Sequence, residues 1–295
     1  NAKISKVINQ FRENNVFSFV NERAASPPSQ YARSKPTQSY WYIAQHYRKA
    51  LSFIFDQLKY HQVVILEDDL EVAPDFFEYF EQTLPLLYAD KSLWCVSAWN
   101  DNGQSQFISD PTVVRRSNFF PGLGWMLTRN LWEEIGGANF AQAYWDDWMR
   151  EPAQRKGRDC IHPERSRTYT FGEKGSSQGQ FYTRYLKKIT LNQQSVDWSQ
   201  KDLTYLVQPH WDTYFYEKVL PQPGEFIQVN DPSQLLQHKE KNLVFFYKNQ
   251  REFSSFAQKV GLQPDEKAGI PRTAYDGVVH VHLNQPEANP SNNHL

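Results

Sequence analysis

Residues 63–80 read VVILEDDLEVAPDFFEYF, and this stretch decides the predicted fold. It opens with four consecutive apolar residues, Val63 to Leu66, a run that is typical of a strand buried on both faces of a sheet. Pro74 lies where a helix would begin, and Asp75 and Glu78 supply acidic side chains to its first turn. The stretch therefore predicts a buried strand, an acidic turn and a helix in succession.

Strands and helices continue to alternate on both sides of this stretch. The apolar spacing from Ile43 to Leu58 predicts a long helix before it. A strand is predicted from Leu93 to Trp99, and a short helix from Asn130 to Ile135. Alternation of this kind favours an α/β sandwich around a largely parallel sheet.

The composition excludes several classes of protein. The chain has 295 residues, of which 40% are hydrophobic, so it can form a sizeable core and is not a disordered chain. Its 32 basic and 33 acidic residues give a net charge of -1, which argues against nucleic acid or an anionic membrane as the main partner. No apolar run in the sequence is long enough to span a bilayer.

Three carboxylates, Glu67, Asp68 and Asp69, directly follow the predicted strand. Because their charges repel one another, such a cluster at the end of a strand needs a cation or hydrogen-bond donors. Ligands bind at these strand ends in open α/β sheets, and carboxylate oxygens suit Mg²⁺ or Mn²⁺. The alternative is a solvated acidic turn that begins the next helix, and the triplet alone does not decide between the two.

Three further motifs have both a functional and a structural interpretation. The run Trp145-Asp146-Asp147-Trp148 fits a sugar site with a carboxylate base, but also the first turn of a helix. The FFPGLGW segment at 119–125 fits close approach of backbone to a ligand, but also a bulged core strand. His46, at the border of the apolar face of the long helix, is interpreted as structural from its pattern alone.

The two cysteines, Cys95 and Cys160, are either two buried thiols or a disulfide formed in an oxidising compartment. Their number alone leaves both interpretations open. A disulfide between them would close a long loop and stabilise the fold by roughly 4 kcal/mol in the chain-entropy model.

Taken together, the motifs resemble the N-acetylglucosaminyltransferase I family. The resemblance rests on six stretches that occur in the family's order at close to its spacing: VVILEDDLEVAPDFFEYF (63–80), SLWCVSAWNDNGQ (92–104), FFPGLGWML (119–127), YWDDWMR (144–150), SRTYTFGEKGSSQGQF (166–181) and IPRTAYDGVV (270–279). These stretches cover most of residues 40–280, so the match is far more specific than an acidic triplet.

The resemblance implies an α/β chain with the GT-A fold, in which a Rossmann-like domain precedes a smaller C-terminal α+β domain. Four regions are expected: a nucleotide-sugar and metal-binding domain (1–172), an active-site loop and linker (173–208), a C-terminal domain (209–283) and a disordered tail (284–295). The family's first strand, which carries an arginine and an aspartate to the nucleotide, is expected upstream of Asn1, together with a membrane anchor. Activity of this chain by itself is therefore in doubt.

The implied activity is inverting transfer of GlcNAc from UDP-GlcNAc to O2 of the α-1,3-linked mannose in a five-mannose, high-mannose N-glycan. The implied cofactor is Mn²⁺. The implied location is the Golgi lumen, as a single-pass type II membrane protein in the full-length form. The alternatives are a transferase acting on O-linked mannose, a non-catalytic sugar-binding relative and, less well supported, a metal-dependent hydrolase of the donor.

The resemblance also implies a role for individual residues. Asp69 would be the direct metal ligand, Asp68 would bind the ribose and Glu67 the GlcNAc. His46 matches a donor-binding histidine of the family, which replaces its structural interpretation, and Asp146 would be the catalytic base. The remaining implied sites are a GlcNAc pocket walled by Leu123, Trp145 and Leu186, a closing loop with Ser176 and Ser177, and a disulfide between Cys95 and Cys160. Asn118 departs from the family, which has aspartate there.

Overall fold

The computed structural model describes residues 26–176, 179, 181–220, 226–228 and 241–283. Ser177 and the predicted tail at 284–295 lie outside the described residues. Strands β1–β12 are Gln62–Ile65, Leu70–Val72, Leu93–Ser97, Val114–Ser117, Trp125–Thr128, Asp159–Pro163, Thr168–Thr170, Phe226–Gln228, Lys241–Phe246, Glu266–Lys267, Ile270–Pro271 and Val278–Leu283. Helices α1–α7 are Lys35–Ser52, Phe76–Ala89, Arg129–Ile135, Trp145–Arg150, Pro152–Arg155, His210–Tyr214 and Gln250–Val260.

The central sheet has five described strands in the order β1-β5-β3-β6-β4. The α/β class is confirmed, but the expected largely parallel sheet is mixed. Strands β3 and β6 pair in parallel, whereas β5 is antiparallel to both β1 and β3, and β4 is antiparallel to β6. The mixed directions follow from the order of the strands, because β5 inserts between β1 and β3 and runs opposite to both, and β4 lies antiparallel at the edge beside β6.

Helices cover both faces of this sheet. On β5, Met126 packs into a core with Phe76 and Phe80 of α2, while Leu127 points to the opposite face. There it joins a second core with Leu51 of α1 and residues of α3. The alternation of the two faces along one strand follows from the two-residue period of β structure.

Strand β1 is less buried than its sequence predicts. Val63, Val64 and Ile65 are half-buried, and Leu66 is 43% exposed. Within the described part of the sheet, β1 has β5 as a neighbour on one side and forms the edge on the other. An edge position explains why the apolar run is not enclosed on both faces.

The disulfide implied by the family resemblance is present. Cys95 on β3 and Cys160 on β6 are register partners in the parallel pair of the central sheet, and their sulfurs are bonded. Both residues are fully buried in the core beneath α1 and α3. The bond therefore joins two central strands of the site-bearing sheet.

Replacing both cysteines by alanine should lower the free energy of unfolding by about 4 kcal/mol, because the bond closes a loop between residues 65 positions apart. Denaturant unfolding of the wild type and the Cys95→Ala/Cys160→Ala variant measures the difference. A reducing agent should bring the wild type close to the variant and leave the variant unchanged. Equal stability of the two proteins under oxidising conditions would contradict the expectation.

The C-terminal region forms a three-stranded sheet, β12-β9-β8, with α7 packed on it. Asn249 caps α7 by accepting a hydrogen bond from the backbone N–H of Glu252 at 3.0 Å. Phe245 stacks on Phe256 of this helix with ring centroids 3.8 Å apart. Val244 and Val278 belong to the same core as Phe76, so this sheet packs against the central one.

Stability should depend on pH through His162, which is 3% exposed on β6. Burial, followed by the positive charge of Arg115, lowers its pKa to about 4. In the unfolded chain the imidazole is protonated from about pH 6.5 downward, so stability should fall by up to roughly 3 kcal/mol as the pH falls from 6.5 to 4. Unfolding midpoints at pH 7 and pH 5 should differ less for His162→Gln than for the wild type. An equal pH effect in both would refute this assignment.

Candidate active site

The acidic triplet lies at the carboxyl end of β1, beside the first helix. The Tyr47 hydroxyl of α1 donates a hydrogen bond to Glu67 Oε1 at 2.9 Å. Burial raises the pKa of the Glu67 carboxyl, the Tyr47 hydrogen bond opposes this, and the charges of Asp69, Asp146 and Asp68 raise it further. Asp146 is therefore an electrostatic neighbour of the triplet, although it lies far along the sequence.

A ladder of aromatic rings connects these two acidic motifs. The Tyr47 ring stacks on Trp145 with centroids 4.2 Å apart, and Trp145 stacks on Trp125 at 5.8 Å. Phe120 meets both indole rings edge-on. Trp145 is 7% exposed, so its ring is held rigidly and leaves Asp146, the next residue, at the end of the ladder.

Asp69 directly precedes β2, which forms a two-stranded sheet with β7, and β7 leads into the glycine-rich segment. Strand β2 pairs antiparallel with β7, and the Phe171 backbone N–H donates to the Asp69 carbonyl oxygen at 3.0 Å. A Cβ atom placed on Gly172 would lie 2.0 Å from Asp69 Oδ2. The carboxylate of Asp69 therefore occupies space that exists only because residue 172 is glycine. Ser176 follows four residues later in this segment and is half-buried.

Gly172→Ala should displace the Asp69 carboxylate, because the new methyl group and Asp69 Oδ2 cannot occupy the same space. If Asp69 holds a metal ion, the Mn²⁺ concentration for half-maximal activity should rise roughly tenfold or more, in the range seen when a metal site loses a supporting contact. Gly175→Ala is the matched control, since a Cβ there meets nothing within 4 Å. An unchanged Mn²⁺ dependence in Gly172→Ala would argue against Asp69 as the ligand.

The residues beside this two-stranded sheet fit a hard divalent cation held by one protein carboxylate. The described residues contain no group of three or more His, Cys, Asp or Glu side chains arranged to hold a metal ion. A single carboxylate, with a diphosphate and water oxygens, can complete the shell of Mg²⁺ or Mn²⁺. Asp69 is the candidate metal ligand, because its carboxylate lies in the space that Gly172 leaves open.

Asp146 lies in the first turn of α4, where a buried arginine holds it. Arg150 Nη1 donates to Asp146 Oδ2 at 2.8 Å and to Asp147 Oδ1 at 3.0 Å. Arg150 also donates from Nε to the Phe120 carbonyl oxygen, and its side chain is 7% exposed whereas that of Asp146 is 38% exposed. Lys267, from the C-terminal region, lies 3.1 Å from Asp147. The arginine thus fixes the carboxylate of Asp146 with part of it open to solvent.

The glycine-punctuated segment turns sharply at Leu123. Gly122, Leu123 and Gly124 have φ angles of 70°, 50° and 88°, which is left-handed backbone that a leucine adopts only under constraint. The Thr168 hydroxyl donates to the Leu123 carbonyl oxygen at 2.7 Å, and a Cβ on Gly124 would lie 2.6 Å from Thr168. The segment is therefore a constrained turn that leads into β5, which explains the glycines better than a simple bulged strand does.

The structure brings some predicted site residues together and leaves the roles of others as predictions. Tyr47 is the common neighbour of Glu67, Asp69, Trp145 and Asp146. His46 and Asp68 are exposed, on α1 and after β1. Leu123 is half-buried in the turn and Leu186 is half-buried in a 3₁₀ turn, Leu186–Lys188.

The sequence interpretation missed Tyr47, Arg150 and Lys267. Arg150 has a readable signal, since it follows Asp146 by four residues, the spacing of a helical ion pair. Tyr47 has none, because an inward-facing tyrosine in an amphipathic helix is usually a core residue. Lys267 pairs with Asp147 across 120 residues, so no local pattern could indicate it.

Comparisons with known proteins agree with the resemblance. A family model described as the GNT-I family matches residues 13–287. A curated relative from Arabidopsis thaliana, named alpha-1,3-mannosyl-glycoprotein 2-beta-N-acetylglucosaminyltransferase, is 47% identical over 241 residues. The alignment covers 82% of this chain and 54% of that protein, so the chain spans about half the length of this relative. The predicted family is thereby confirmed.

Proposed function

Because the chain belongs to the GNT-I family, we propose that it carries the active site of an inverting N-acetylglucosaminyltransferase. The donor is UDP-GlcNAc, and the acceptor is O2 of the α-1,3-linked mannose of a five-mannose N-glycan. The convergence of Asp146 with Glu67 and Asp69 around the Tyr47–Trp145 stack carries the proposal. It supplies a carboxylate for the acceptor and two more for the donor within one aromatic-walled site.

Each residue of the site has a separate role in a single displacement reaction. Asp146 takes the proton of the attacking mannose hydroxyl, and the hydrogen bond from Arg150 orients its carboxylate. Glu67, held by Tyr47, orients the transferred sugar, and Asp68 binds the ribose of the nucleotide. Asp69 would hold Mn²⁺, and the bound ion would supply positive charge against the leaving diphosphate. His46, Leu123, Trp145 and Leu186 bind or enclose the donor.

The glycine-rich segment that includes Ser176 and Ser177 closes over the bound donor and limits its hydrolysis by excluding water. The four regions 1–172, 173–208, 209–283 and 284–295 are the proposed domain organisation, with the GT-A fold in the first. The full-length protein acts in the Golgi lumen, anchored as a type II membrane protein. Among the described residues, no helix combines the length and apolarity needed to cross a bilayer.

An acceptor comparison tests the proposal. The full-length protein should transfer GlcNAc from UDP-GlcNAc to a five-mannose N-glycan in the presence of Mn²⁺, and the product should carry a β-1,2 linkage. An O-mannosyl peptide is the competing acceptor. Transfer to the peptide alone would favour the O-mannose alternative, and donor hydrolysis without any transfer would favour a hydrolase. Glycan binding without either reaction would favour a sugar-binding relative.

A further inference from the structure

A second pair of stacked rings lies beside the Tyr47–Trp145 pair, toward the outside of the site. Tyr40 stacks on Tyr144 with ring centroids 4.4 Å apart and an interplanar angle of 28°. Tyr40 precedes Tyr47 by seven residues on α1, so the two lie on the same face of the helix two turns apart. Since Tyr144 directly precedes Trp145, the two stacked pairs are neighbours on both of their elements.

The two pairs differ in their exposure. Trp145 is 7% exposed, whereas Tyr144 is 38% exposed, so the inner pair belongs to the core and the outer pair offers aromatic surface to solvent. Burial raises the pKa of Tyr40, followed by the charges of Asp146, Tyr144 and Asp147. Asp146 also acts on Tyr47 of the inner pair, which places its carboxylate within electrostatic range of both pairs.

The backbone of Tyr144 is held in an unfavourable conformation. Its φ is 49° and its ψ is 49°, the left-handed region that bulky side chains rarely adopt. The residue immediately precedes α4, and its carbonyl oxygen accepts the hydrogen bond of the Trp148 N–H at 3.0 Å. Strained residues of this kind cluster at ligand sites, because the surrounding structure must maintain them at a cost in free energy. With this backbone conformation at Tyr144, the Trp145 ring turns inward against Tyr47, while the Tyr144 ring stays on the surface.

We propose that Tyr144 and Tyr40 form the platform on which the acceptor hexose packs its apolar C–H face, next to Asp146. The proposal rests on the proposed function, in which Asp146 meets the acceptor hydroxyl. The donor is assigned to the side of Glu67 and Asp69, so the acceptor has to approach Asp146 from another side. The exposed ring two residues before Asp146 is the surface available there. A neutral sugar suits it, since tyrosine combines an apolar face with a polar rim.

Tyr144→Asn in the full-length protein tests the platform, because asparagine tolerates left-handed backbone and removes the ring without adding strain. The KM for the five-mannose N-glycan should rise roughly tenfold, in line with the loss of one aromatic contact, while the KM for UDP-GlcNAc changes less than about twofold. Tyr144→Phe keeps the ring and should stay within about twofold of the wild type. Tyr40→Leu should raise the glycan KM in the same direction. Phe77→Ala, at a 73% exposed ring on α2 across the sheet, is the control for loss of surface aromatic area.

An unchanged glycan KM in Tyr144→Asn would overturn the platform while leaving the transferase activity in place. Calorimetric titration of the same glycan in the presence of UDP separates the two proposals. If the wild type transfers nothing but binds the glycan, weaker binding by Tyr144→Asn still supports the platform, and equal binding overturns it. A wild type that neither transfers to the glycan nor binds it overturns both.

Discussion

Replacing Asp146 by asparagine is expected to lower GlcNAc transfer by roughly a thousandfold, within the range that removal of a general base produces. Asparagine has the same shape and can still accept the hydrogen bond that Arg150 Nη1 gives to Asp146 Oδ2 at 2.8 Å. The helix and the Trp145 ring should therefore stay in place. The amide cannot take the proton of the acceptor hydroxyl, so the loss should appear in kcat, while the affinity for UDP-GlcNAc is nearly unchanged.

Asp147→Asn is the matched control for this experiment. The two aspartates lie on the same turn of α4, share Arg150 and have side chains 38% and 40% exposed. They differ in that Lys267 pairs with Asp147. A base at Asp146 predicts that Asp147→Asn keeps activity within about tenfold. Equal losses of activity in both variants would indicate that transfer depends on the combined negative charge of the two aspartates rather than on a base at Asp146. An active Asp146→Asn enzyme would mean that another group is the base.

The sequence predicted those parts of the molecule that local physics determines. The strand Gln62–Ile65, the helix that begins at Phe76 and the strand Leu93–Ser97 form where the apolar patterns indicated, although β1 is less buried than predicted. Each of these elements is short enough that its own residues fix its type, whereas its burial depends on its neighbours. The acidic triplet was likewise placed correctly at the end of a strand, because the strand and the following helix bracket it.

Local sequence patterns could not predict the direction of the strands or the partners of the polar side chains. Strand β5 inserts between β1 and β3, a choice that depends on the whole sheet rather than on residues 125–128. Asp75 illustrates the same limit. The pattern predicted it as an acid in the first turn of α2, but its side chain makes no capping hydrogen bond and is fully buried against Arg167. A partner 92 residues away leaves no trace in the local sequence.

Asp75→Ala should lower the free energy of unfolding by about 3–5 kcal/mol. Asp75 accepts hydrogen bonds from Arg167 Nη2 at 3.0 Å, Asn192 Nδ2 at 3.0 Å and Trp198 Nε1 at 2.8 Å. The side chains of Asp75 and Arg167 are both 0% exposed. Removing the carboxylate leaves a positive charge in the core without its counter-ion. Thermal and denaturant unfolding measure the effect, and Glu81→Ala, at an exposed residue of the same helix, is the control.

The double variant Asp75→Ala/Arg167→Met distinguishes this explanation from a general packing defect. If the cost of Asp75→Ala is mainly an unpaired buried guanidinium, removing that charge should restore part of the lost stability, and the double variant should be more stable than the single one. Restoration should be incomplete, because Arg167 also donates to the carbonyl oxygens of Arg165 and Pro111. Arg167 precedes β7, which pairs with β2 directly after Asp69, so the ion pair also supports the two-stranded sheet beside Asp69. A double variant less stable than Asp75→Ala would mean that Arg167 stabilises this sheet by itself, without its carboxylate.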